Sequence, residues 1–117
     1  MNIELVLVYR RDDDGLDYIR ELLGEVEENN EDVDCFVQYN LTSSKFLEKR
    51  TANSLLSRHA TLNTPLILFR NEGVVVRALY SEEVIDISYY DQMIIRKLVE
   101  ARQAIPVIVE EEELEYS

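Results

Sequence analysis

Asn63-Thr64-Pro65-Leu66-Ile67-Leu68-Phe69-Arg70-Asn71-Glu72-Gly73-Val74-Val75-Val76-Arg77-Ala78-Leu79-Tyr80 carries two strand-length apolar runs joined by a turn. Leu66-Ile67-Leu68-Phe69 is a compact apolar run of strand length, approached through a proline that has no N–H to give a ladder. Asn71-Glu72-Gly73 is turn chemistry, with a glycine free to take positive φ. Val74 to Tyr80 is β-branched and aromatic, and returns as the partner of the first run, so the whole stretch predicts a β-hairpin.

Upstream of this hairpin the chain alternates between two periodicities. Ile3-Glu4-Leu5-Val6-Leu7-Val8-Tyr9 is a nearly unbroken apolar run, the pattern of a strand covered on both faces. Asp14 stands where a helix N-cap belongs, with Asp17 three positions on. Leu16, Ile19, Leu22, Leu23 and Val26 then recur at helical spacing, opposite Glu21, Glu25 and Glu28. Val33 to Leu41 reads as a second strand containing Cys35, Phe36, Val37 and Tyr39. Ser43 and Ser44 offer caps for a second helix sketched by Phe46, Leu47, Leu55, Leu56 and His59. Downstream of the hairpin, Ser81-Glu82-Glu83 and a short Val84-Ile85 stretch lead to a helix starting near Ser88-Tyr89-Tyr90-Asp91. Tyr90, Ile94, Leu98, Ala101 and Ile105 mark its buried face, and Pro106 stops it. The order is β-α-β-α-β-β-α. Two right-handed crossovers and one hairpin then predict an α/β fold, a four-stranded mixed sheet with helices on both faces. Residues 1–105 form the domain, and 106–117 an acidic tail.

Asn63-Thr64-Pro65 set before a Leu-Ile-Leu-Phe strand, followed by Arg70-Asn71-Glu72-Gly73 and a valine-rich return strand, resembles the thioredoxin-like family. The match is best from Leu62 to about Leu98 and covers residues 2–104 in topology. The resemblance implies a cis Thr64-Pro65 bond beside a surface that receives an extended peptide. It also places the family's Cys-x-x-Cys window at Asp13-Asp14-Gly15-Leu16, where no thiol stands. Disulfide exchange needs an attacking thiolate, which a carboxylate cannot replace. The chain therefore resembles a redox-inactive member. Cys35, on the second strand, reads as a small core residue.

Composition bounds the remaining chemistry. With 117 residues, 46 % apolar and 31 % charged, the chain has the make-up of one globular domain. Its longest apolar run is a handful of residues against the ~20 a membrane span requires. The start shows no basic segment before Glu4, so a cytoplasmic, non-membrane protein is expected. One cysteine excludes an internal disulfide, and one histidine, His59, excludes a histidine metal cluster. Asp12-Asp13-Asp14-Gly15 with Glu21 fails as a calcium loop because Arg10 would be its first ligand and a strand precedes it. Acidic groups gathering at a helix N-terminus favour its dipole without any ligand. No phosphate-binding glycine loop is present, and no cofactor or metal is expected.

Charge is unevenly spread. The net value is −12; residues 1–40 carry 12 acidic and 3 basic groups, 41–80 carry 2 and 6, and 81–117 carry 10 and 3. Direct nucleic-acid binding is disfavoured by that total. The middle segment (Lys45, Lys49, Arg50, Arg58, Arg70, Arg77) is the one stretch able to form a basic face. The expected function is a non-catalytic module holding a protein partner near Asp12, Asp13, Asp14, Asn63, Thr64 and Pro65. The alternatives are a structural protein that self-assembles through Val107, Ile108 and Val109, a β-prone segment suited to a sheet edge, an acidic mimic of nucleic acid, and a KaiB-like regulator of the same fold. The hairpin turn at Asn71–Gly73 favours the ordinary thioredoxin arrangement over the last.

Overall fold

A computed structural model describes residues 2–104, so Val107, Ile108 and Val109, and with them the assembly reading and the tail, lie outside the described residues. Its elements are β1 (Ile3–Tyr9), α1 (Leu16–Asn29), β2 (Val33–Asn40), α2 (Phe46–Arg58), β3 (Leu66–Asn71), β4 (Val74–Tyr80) and α3 (Tyr90–Gln103). Two 3-10 turns, Ser81–Glu83 and Ile87–Tyr89, bridge β4 and α3. The sheet order is β2-β1-β3-β4. β1 runs parallel to β2 and antiparallel to β3, which is antiparallel to β4.

The apolar run of β1 follows from its place between two other strands. Ile3, Leu5, Leu7 and Tyr9 face one cluster with Ile67, Phe69, Leu79, α1 and α3. Val6 and Val8 face the other, with Leu66, Leu68 and α2 residues Ala52, Leu55 and Leu56. Alternate side chains of a strand point to opposite faces, so a strand covered on both must be apolar throughout. Glu4 escapes this by meeting Arg70 at 2.7 Å across β3. The third helix buries Tyr90, Ile94, Leu98 and Ala101, as its spacing predicts, and ends at Gln103, while Ile105 and Pro106 lie outside the described residues. At its far end Arg102 pairs with Asp32 and donates to Asn30 Oδ1 at 2.7 Å, joining α3 to the loop before β2. That guanidinium holds the Asp32 carboxyl below the usual carboxylate range.

Several local expectations are corrected. Only the first connection is a crossover between parallel strands. β3 inserts on the far side of β1 and runs against it, so α2 joins antiparallel strands. The N-cap of α1 is Gly15, at φ 69°, not Asp14. Glycine adopts that left-handed backbone without steric cost, and the nearby carboxylates are left for other contacts. α2 starts after Lys45, two residues beyond Ser43, whose hydroxyl accepts the Lys45 N–H at 3.0 Å in a local turn. Phe46 and Leu47 point outward, 71 % and 73 % exposed, so the helix buries a narrower face than its apolar residues imply. Leu41 lies just past the end of β2 yet is buried under α2. The hairpin turn is two residues, Glu72 at φ 54° and Gly73 at φ 82°, while Asn71 is buried in the strand. Positive φ at both positions matches the right-handed twist of the flanking strands. Cys35 belongs to neither apolar cluster. Its thiol donates to Glu4 Oε2 at 3.4 Å, and burial together with that carboxylate pushes its pKa up.

Candidate functional site

The carboxyl end of β1 meets the loop before β3. The Arg10 N–H donates to Asp13 Oδ2 at 2.8 Å and the Asp13 N–H donates back to the Arg10 carbonyl at 3.0 Å, closing a turn after β1. The other Asp13 oxygen accepts the Thr64 hydroxyl at 2.9 Å. Arg10 Nη1 donates to the same Thr64 oxygen at 3.1 Å. The hydroxyl thus gives its one proton to the carboxylate and takes one from the guanidinium. This three-residue bracket ties two loops whose residues stand 51 positions apart. The Arg11 N–H donates to Thr42 Oγ1 at 3.0 Å and fixes the same loop to the β2–α2 connection. The Thr64-Pro65 bond is cis and Pro65 is buried.

Around the bracket lies an open groove of about 460 Å³. Arg10 and the carboxylates Asp12, Asp13 and Asp14 form one wall, Thr64 and Pro65 the next, and the segment from Ser81 to Ile87 the third. Ile85 is 93 % exposed there, and Ile87 more than a third. Asp86 accepts the Ser88 N–H at 2.9 Å and the Ser88 hydroxyl at 3.0 Å, which holds its carboxyl below the usual range and keeps it charged. Gly15 approaches the third wall closely. A Cβ built on it would sit 2.8 Å from the Ile87 Cδ1 atom.

Five of the six residues expected here, Asp12, Asp13, Asp14, Thr64 and Pro65, line this groove. Asn63 does not. Its amide donates to Glu82 Oε2 at 2.8 Å and braces the turn after β4 instead. Sequence reasoning misses Arg10, Ile85, Asp86 and Ile87. The available signal is Val84-Ile85-Asp86-Ile87, two isoleucines flanking a carboxylate in a segment too short for an element. Tyr90 lies beneath this groove in the core, and Tyr89 is half exposed. Tyr80 packs against the α2-side cluster.

Burial, with Asp13 nearby, pushes the Tyr90 phenol up to about 12 from the usual 10.0. A group raised on folding stabilises the fold below its unfolded pKa and loses that contribution as pH climbs toward the folded one. In an alkaline titration followed by phenolate absorbance, a step at about 12 is expected, and Tyr90→Phe should abolish it. The same substitution should shrink the loss of stability between pH 10 and 12. A step that persists in Tyr90→Phe would place the perturbed phenol elsewhere.

The sheet order, the cis-proline beside the end of β1 and the helices on both faces define a thioredoxin-like fold. Thioredoxin O2 of Arabidopsis thaliana, in its oxidised state, superimposes with a TM-score of 0.56 at 9 % identity, over 81 % of this chain and 74 % of that one. Thioredoxin f2 of Chlamydomonas reinhardtii gives 0.57 at 15 % identity, over 91 % and 82 %. A designed protein gives 0.57 at 14 %, over 91 % and 80 %. No protein-family model and no curated sequence matches the chain.

Proposed function

We propose that this chain is a non-catalytic, cytoplasmic protein-interaction module whose groove at Thr64-Pro65 takes an extended segment of a partner protein that carries basic and apolar side chains. The observation that carries this reading is the composition of the groove walls. Asp12, Asp14 and Asp86 offer charge, Ile85 and Ile87 offer apolar contact, and the Asp13–Thr64–Arg10 bracket holds the walls in register. The resemblance to thioredoxins puts the family's redox window at Asp13-Asp14-Gly15-Leu16, a stretch without a thiol. Cys35 sits near the start of β2, opposite Glu4, about 20 Å down the sheet from Arg10 at the usual rise per strand residue. Its raised pKa disfavours the thiolate that disulfide exchange needs. Among the described residues, no helix is long and apolar enough to cross a membrane.

Capture from native lysate followed by cross-link mapping tests the reading. Asp12→Lys with Asp14→Lys, and separately Ile85→Asp, alter exposed side chains that hold nothing else in place. Each is expected to reduce recovery of the groove-bound partner at least about tenfold, the effect of losing roughly 1.4 kcal/mol of contact. Undiminished recovery in both variants, or cross-links that avoid the groove, would reject this surface.

A further inference from the structure

We propose that a second groove, between α2 and the sheet, is a binding site for a phosphoryl group. It encloses about 430 Å³, within the usual range for small-ligand sites. Arg50 and Arg58 of α2 and Arg70 of β3 line it, with Ser54 and Tyr39, and no acidic side chain among the described residues does so. Arg50, Ser54 and Arg58 follow one another at intervals of four, which sets them on one side of the helix. Half of the six basic residues between positions 41 and 80 thus converge on one concavity, while Arg77 is drawn off to Glu100 at 3.1 Å.

The donors there are largely unspent. Among the described residues, Arg50 and Arg58 have no ion pair. Arg70 uses Nη2 on Glu4, but its buried Nε–H has no partner. A buried donor left unpaired costs free energy, so Glu4 does not by itself satisfy the Arg70 guanidinium. Guanidinium groups present planar forks that suit phosphoryl oxygens, and Ser54 adds a hydroxyl. Two unpaired cations, Arg50 and Arg58, with a third that Glu4 shares, match the charge and the acceptor oxygens of a phosphoryl group better than those of a single carboxylate. The chain as a whole carries −12, so its long-range field repels anions, and saturable binding must come from local contacts. This site shares no lining residue with the groove at Thr64-Pro65, so either assignment can fail alone.

The test is amide NMR titration of the full chain with inorganic pyrophosphate. Saturable shifts are expected in residues 50–58 and at Arg70. Arg50→Ala with Arg58→Ala, both exposed side chains, should weaken binding about tenfold or more, while Arg96→Ala on α3 should leave it unchanged. ATP and O-phosphoserine, as separate arms, distinguish a free nucleotide from a phosphate borne by a protein. Tighter binding of either one assigns the carrier and supports the site. No saturable response to any of the three ligands would overturn the proposal. So would equal weakening by Arg96→Ala, or shifts spread over the molecule, either of which marks an adventitious ion only.

Discussion

Phe69→Ala is expected to cost about 3–5 kcal/mol of folding stability, a large share of the roughly 5–15 kcal/mol that holds a domain of this size together. Phe69 is fully buried on β3, paired with Leu5 on one side and Arg77 on the other. Its ring lies in the cluster that joins β1 to α1 and α3. Truncation removes that apolar surface from the core and leaves a cavity that four strands and two helices cannot close without losing their register. Urea denaturation followed by circular dichroism should show the midpoint falling with little change in slope, since the surface exposed on unfolding is almost the same. A loss below about 1 kcal/mol would mean that the site collapses freely, contrary to a core of native density.

Gly15→Val is expected to destabilise by roughly 2–3 kcal/mol, combining the cost of a left-handed backbone with overpacking. At φ 69° a side chain is strained whatever space surrounds it, and here the first added carbon would already lie 2.8 Å from Ile87. The natural relief is for the flexible Ile87 side chain to move, which disturbs the third wall of the partner groove. Binding should therefore fall along with stability. Gly24→Ala is the control of opposite sign. It stands inside α1 with nothing within 4 Å of an added Cβ. The substitution should stabilise by about 0.5–1 kcal/mol through helix propensity. If both substitutions cost the same, the conformation at Gly15 is not what holds the glycine there.

Elements with strong periodicity are legible in the amino-acid order alone. Ile3–Tyr9 and the Tyr90, Ile94, Leu98, Ala101 series report burial directly, because β1 is covered on both sides and α3 on one. The second helix is less legible. Phe46 and Leu47 are apolar yet exposed, and no local pattern distinguishes an apolar residue that packs from one that does not. The cap at Gly15 is hidden for a related reason. Asp14 satisfies the statistical preference for a cap, but the turn closed by Asp13 onto Arg10 leaves glycine in that role.

The succession of strands and helices, the proline that marks the approach to β3, the single cysteine and the uneven charge are all legible in the amino-acid order. These are properties of composition and of short-range spacing, where one residue's preference is set by its near neighbours. The folded arrangement sets β3 against β1, so that Asp13 and Arg10 meet Thr64, and brings Ile85 and Ile87 to flank the same groove. It alone gathered Arg50, Arg58 and Arg70 at one concavity. Such contacts join segments many residues apart, and their geometry is set by sheet order and by the packing of whole faces, which local periodicity does not encode.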